Sequence, residues 1–156
     1  MTDTLSAAVC LYGTDEPVAR PHVLRAGRLS AELEGGNLRY IRYDGAEVLR
    51  AVSFIVRDKD WGTYNPVISD LAITQQDDRF SVSFSAVAGD AAQSFAYDAR
   101  IEGYADGRLV FHGRGTSADG FLTNRTGFVV LHPIDGVAGA PETITHTDDE
   151  SACPDP

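Results

Sequence analysis

Asn124, Arg125 and His132 gather more chemical potential into a short span than any other part of this chain. Asn124 and Arg125 precede an apolar run, Phe128 to Leu131, and His132-Pro133 follow it, with His146 further on. An imidazole titrates nearest neutrality, so His132 is a candidate general acid or base. The plainer reading is a strand-end histidine hydrogen-bonded to backbone. A guanidinium fork matches a carboxylate, and a neighbouring amide can orient it, so Asn124 and Arg125 are candidate binders of a sugar carboxylate or lactone oxygen. The plainer reading pairs Arg125 with one of the chain's many acids.

A second polar stretch, RDKDWGTYN, sets Arg57, Asp58, Lys59 and Asp60 before Trp61 and Tyr64. An aromatic ring beside acids and amides can stack on the C–H face of a sugar while its neighbours read hydroxyls. Trp61, Tyr64 and Asp58 are therefore candidate substrate-binding residues. Equally, Trp61 and Tyr64 could cap a core while the charges are solvated. His112 shares a parity with Arg108 and Arg114 and reads as an exposed strand histidine. GRGTSADG is Gly-rich but lacks the strand-to-helix setting of a phosphate loop. Asp148, Asp149 and Glu150 read as a solvated acidic tail, so no metal is expected, and no cofactor. No serine sits in a nucleophile elbow and neither cysteine has a partner, which argues against nucleophilic catalysis.

The elements that must position these groups read as strands. Phe128 to Leu131, bounded by turn residues, suits a central strand buried on both faces. In GRLSAELEGG, Leu29, Ala31 and Leu33 share one parity and the polar residues the other, the pattern of a strand with one buried face. LRYIRYDG is its hairpin partner, and Asp44-Gly45 is a turn signal. AEVLRAVSFIVRD is apolar on both parities and reads as a central strand. RDKDWGTYNP excludes regular structure, and VISDLAITQQ follows as a strand. RFSVSFSAVAG points Phe80, Val82, Phe84 and Ala86 inward. QSFAYDARIEG does the same with Phe95, Tyr97, Ala99 and Ile101. Asp106-Gly107 then turns into RLVFHGRG. Strands at this spacing, with no amphipathic helical window, predict an all-β antiparallel β-sandwich with little or no helix. Residues 1–20 read as a leader or loop, 21–147 as the sandwich, and 148–156 as an acidic, Pro-containing tail that should fray.

The chain has 156 residues and a formal charge of −10. That is one domain by length, and its acidity argues against nucleic acid or an anionic membrane as partner. Of 13 basic residues only Lys59 is a lysine. Cys10 and Cys153 lie near opposite ends and form no disulfide framework or metal spacing. No stretch approaches the ~20 apolar residues of a membrane span. The expected location is the cytoplasm.

With the strands placed, three motifs stand in order: GxEVLRA, VRDxxWGT and NRxGFxVLHP. Together they make roughly His22 to Asp148 resemble the N-terminal portion of bacterial D-apionate lactonases, hydrolases of sugar-acid lactones. Members of that family are several times longer and continue into a barrel-like region, where the resemblance implies that most catalytic carboxylates lie. It carries no catalytic residue onto this chain. The implied function is that of an N-terminal domain, not catalytically complete alone. By analogy of fold, the sandwich is also similar to mutarotase-like sandwiches. The alternatives are a stand-alone module binding a sugar or sugar acid through Trp61, Tyr64, Asn124 and Arg125, or a small epimerase or lactonase using His132 with Glu142 or Asp58. The expected partner is a small sugar acid or lactone. A sandwich belonging to a larger body should expose apolar surface, so a homodimer or contact with a downstream catalytic domain is also expected.

Overall fold

A computed structural model describes residues 6–15, 20–117, 120–145, 147 and 150–153. The alternating stretches become strands: β1 (His22–Ala26), β2 (Leu29–Glu34), β3 (Asn37–Tyr43), β4 (Ala46–Val56), β5 (Val67–Gln75), β6 (Arg79–Gly89), β7 (Ser94–Tyr104), β8 (Leu109–Ser117) and β9 (Thr126–Leu131). They form two antiparallel sheets, β1-β2-β3-β4-β9 and β5-β6-β7-β8. A short helix, α1 (Ala7–Tyr12), lies in the expected leader, begun by Ser6 accepting the Val9 N–H and ended at Gly13. The expected fraying tail instead supplies β11 (Glu150–Cys153), paired with β10 (Glu142–Thr145). His146, Asp148 and Asp149 lie outside the described residues, as do the side chains of Glu142 and Glu150.

The alternation predicts the core directly. Leu29, Ala31 and Leu33 of β2 are buried, and so are Phe80, Val82, Phe84 and Ala86 of β6. Tyr97, Ala99 and Ile101 of β7 lie beside them on the same face of the sheet, while Phe95 is only partly covered. Strands β6 and β7 pair without a shift from Arg79 opposite Tyr104 to Gly89 opposite Ser94. Asp44 and Gly45 both hold positive φ, at 53° and 83°, as a two-residue turn joining twisted strands requires. Rings bridge the two sheets: Phe54 of β4 lies 4.6 Å from Tyr97, and Phe128 of β9 lies 5.0 Å from Phe111 of β8.

The run Phe128–Leu131 corrects the sequence reading. It forms β9, but β9 is an edge strand, bonded to β4 alone. Phe128, Val130 and Leu131 are 44%, 47% and 51% exposed. The physical reason is that β9 and β8 are both edges and lie on the same flank, leaving the gap between the sheets open there. A pattern apolar on both parities cannot distinguish a strand buried on both faces from an edge with apolar surface uncovered. Because β9 pairs only with Ala51–Val56, residues 46–50 of β4 have no partner on that side. Beside them the gap widens into an apolar recess of about 340 Å3 lined by Ile41, Val48, Leu49 and Leu109. Among the described residues no helix is long and apolar enough to cross a membrane.

Gly103 of β7 lies beneath the Phe80 ring, and a Cβ there would overlap it. Gly103→Ala is expected to cost about 1–3 kcal/mol, read as a lower urea midpoint. Gly120→Ala, with nothing within 4 Å of the added methyl, should leave stability within about 0.5 kcal/mol.

Candidate functional site

The register of one strand pair builds the site. Val56 stands opposite Thr126 at the end of the β4–β9 ladder. One step on, the Arg57 N–H donates to the Arg125 carbonyl at 2.9 Å, so the two arginines are direct cross-strand neighbours. Cross-strand partners share a face, with Cβ atoms about 5 Å apart. Thr123 Oγ1 donates to the Arg57 carbonyl at 2.6 Å. The Asn124 N–H donates to the Asp58 carbonyl at 3.0 Å. Segments 57–58 and 123–125 are thus laced together.

Asp58 shapes the loop that follows. Its Oδ1 accepts the N–H groups of Asp60 and Gly62, each at 2.8 Å. The Asp58 N–H donates to the Gly62 carbonyl at 2.9 Å, and Tyr64 N–H donates to Val56. This carboxylate therefore holds the turn. Trp61 sits on that turn with φ at 73° and is 53% exposed. The Cζ atoms of Arg57 and Arg125 lie 5.5 and 5.7 Å from its ring centroid, within reach of a cation–π attraction. Lys59 pairs with Asp60 at 2.5 Å, and that contact raises the lysine pKa.

Tyr64 faces a different task. Its hydroxyl donates to Asp90 at 2.7 Å and accepts from Gln93 Nε2 at 3.1 Å. Gln93 also donates to the Leu122 carbonyl and accepts the Leu122 N–H. Asp90 takes the N–H groups of Ala92 and Gln93 as well. Tyr64 thereby ties the Trp61 loop to the β6–β7 connection and to the chain entering β9.

The structure thus brings Asp58, Trp61, Asn124 and Arg125 together, with Tyr64 behind them. It sets His132 apart. That histidine is exposed at the far end of β9, roughly 20 Å from Arg125 by strand rise. A recess of about 520 Å3, lined by Glu34, Arg39, Ala51, Asn65 and Leu131, lies at the His132 end. Sequence reasoning noticed Arg57 only as one charge in an alternating run, because its pairing with Arg125 is a matter of tertiary register. Thr123, Asp90 and Gln93 were missed, and nothing in the GDAAQ or FLT segments marks them.

The Tyr64–Asp90 bond has a pH signature. Asp90 sits below the usual carboxylate value of 3.8, first because the Tyr64 hydroxyl donates to it and then through its two backbone donors. Tyr64 sits above the usual phenol value of 10.0, chiefly because Asp90 holds its proton. A depressed acid stabilises above its unfolded pKa and loses that contribution as pH falls; a raised phenol stabilises below its unfolded pKa and loses it as pH rises. Tyr64→Phe should therefore destabilise the protein near neutral pH. Its deficit should shrink as pH falls below 3.8 and as pH rises above 10.0. Urea melts across pH check this, and a pH-independent deficit would contradict it.

The family described as D-apionate lactonase, N-terminal domain, matches residues 9–153. A D-apionate lactonase of Brucella anthropi (strain ATCC 49188) is 52% identical over 139 residues, which make up 88% of this chain and 23% of that protein. The chain thus spans less than a quarter of that relative's length. No solved structure matches it. The motifs GxEVLRA, VRDxxWGT and NRxGFxVLHP all lie inside the matched residues, and the chain belongs to the family of D-apionate lactonase N-terminal domains.

Proposed function

We propose that the chain serves as the N-terminal β-sandwich of a sugar-acid lactone hydrolase in carbohydrate catabolism, and that lactone hydrolysis needs groups outside these residues. The observation that carries this reading is the 52% identity to a D-apionate lactonase over 88% of the chain but 23% of that relative. The geometry supports it. General acid–base chemistry on a lactone needs a proton-transfer group and oxyanion donors converging within hydrogen-bond reach of one carbonyl. Here His132 and the Trp61 cluster occupy opposite ends of β9, and Asp58 is committed to the loop. In the complete hydrolase, water attacks the lactone carbonyl at groups supplied by the rest of the protein.

The open flank between β8 and β9 is the surface on which that remaining body rests. Phe128 and Val130 expose apolar surface there, the recess at Val48 and Leu109 adds more, and the unpaired edge of β4 offers backbone groups to an added segment. The two distant cysteines and acidic charge fit a cytoplasmic protein.

A second reading, a sugar-acid binding module complete in itself, is favoured by the exposure of Trp61 beside two guanidinium groups. The two readings are compatible. A third reading is a small epimerase or lactonase using His132 with Glu142 or Asp58; Asp58 lies at the opposite end of β9, and the Glu142 side chain lies outside the described residues.

The purified chain is expected to leave D-apionolactone at its uncatalysed hydrolysis rate, followed by pH-stat, under conditions in which the Brucella relative turns it over. Hydrolysis above the blank that disappears in His132→Ala would overturn the division of labour and install the third reading.

A further inference from the structure

We propose that Arg57, Trp61 and Arg125 form a binding site for the carboxylate of an open-chain sugar acid, selecting the hydrolysed acid over its neutral lactone. This rests on the sugar-acid reading above and specifies which form of the molecule the domain holds.

Three observations converge. The first is electrostatic. Arg57 and Arg125 stand directly opposite one another across a strand pair, an arrangement in which like charges repel. Five other arginines pair with carboxylates, Arg28 with Asp44, Arg39 with Glu34, Arg42 with Glu32, Arg50 with Glu47 and Arg100 with Glu102. Among the described residues, neither Arg57 nor Arg125 has an acid in ion-pair contact. Among the same residues Arg25, Arg79, Arg108 and Arg114 also lack an acid, and what sets Arg57 and Arg125 apart is that they are neighbours on one indole ring. The nearby carboxylates are already committed, Asp58 to two backbone N–H groups and Asp60 to Lys59. The cluster of Arg57, Asp58, Lys59, Asp60 and Arg125 carries one net positive charge within a chain of −10.

The second observation is an unmet donor. The Nε of Arg57 is buried and has no hydrogen-bond acceptor among the described residues. A buried donor without a partner costs free energy, which a turn of the Arg57 side chain toward an incoming acceptor recovers. The third is shape. Trp61 is about half exposed on a turn fixed by Asp58, so the part of the indole that the two guanidinium groups leave uncovered meets solvent before any ligand arrives. Fixing the loop in advance removes part of the ordering cost of binding.

The ligand chemistry follows. Two guanidinium groups call for a carboxylate, which accepts forked N–H donors. The exposed part of the indole calls for an apolar C–H surface next to that charge, and the exposed Asn124 side chain can meet hydroxyls. An aldonate offers all three. A lactone has the same carbon chain but no net charge, since ring opening is what creates the carboxylate. The site therefore recognises the acid.

Trp61 is the chain's single tryptophan, so its emission reports this site alone. The purified chain is titrated with sodium D-gluconate, with D-gluconamide as the neutral counterpart of the same length and hydroxyl pattern, and with sodium chloride at matched ionic strength. Gluconate should change Trp61 emission saturably below about 50 mM, while gluconamide and chloride should not. Arg125→Gln, an exposed change with little risk to folding, should weaken gluconate binding about 10-fold, and Arg57→Ala at least as much. Arg42→Ala, which removes a paired arginine elsewhere, should bind like wild type. Circular dichroism establishes that each variant is folded. No saturable response to gluconate in the wild type, or an equal response to gluconamide, would overturn the proposal. Neither outcome touches the lactone-hydrolysis assay, so the two readings fail separately.

Discussion

The β4–β9 ladder is the constraint on which the rest of the molecule depends. Its register sets Phe54 opposite Phe128, which anchors the last strand to the aromatic contacts between the sheets. The same register sets Val56 opposite Thr126 and so carries Arg57 up to Arg125. A shift by one residue would turn Phe128 away from the core and send the two arginines to different faces. Core packing and the polar cluster are therefore two consequences of one alignment.

That alignment also explains why the two ends of β9 differ. At its start, the chain is stitched to the 57–64 loop through Thr123, Asn124 and Arg125, and through Gln93 to Tyr64. The result is a fixed surface with an indole and two cations. At its end, the chain leaves through His132 and a buried Pro133, and proline has no N–H with which to continue the ladder. Beyond that point the edge of β4 is bare and the gap between the sheets opens. One end carries an indole with two cations, and the other borders exposed apolar surface.

Much of this was legible in the sequence, and the limits have physical causes. Strands β2, β6 and β7 alternate cleanly because each has one face in the core, so Leu29, Phe80 and Ile101 could be placed by parity alone. Asp44-Gly45 announced its turn because few residues tolerate positive φ there. The Phe128–Leu131 run misled because hydrophobicity records that a side chain avoids water, without recording which partner shields it. Trp61 and Arg125 were recognised by type, and their proximity was not, since 64 residues separate them in the chain. Arg57 and the Tyr64–Asp90–Gln93 network depend wholly on register and loop closure, which leave no local trace.

The central claim is that the fold holds Arg57 and Arg125 together as an unneutralised pair. A double-mutant cycle of Arg57→Ala and Arg125→Ala, measured by urea unfolding at low salt, isolates their mutual interaction from their separate contacts with Trp61. The account predicts a repulsive coupling of about 0.2–1 kcal/mol, shrinking as salt is added and abolished by saturating gluconate. Additive effects of the two replacements, or an attractive coupling, would contradict it.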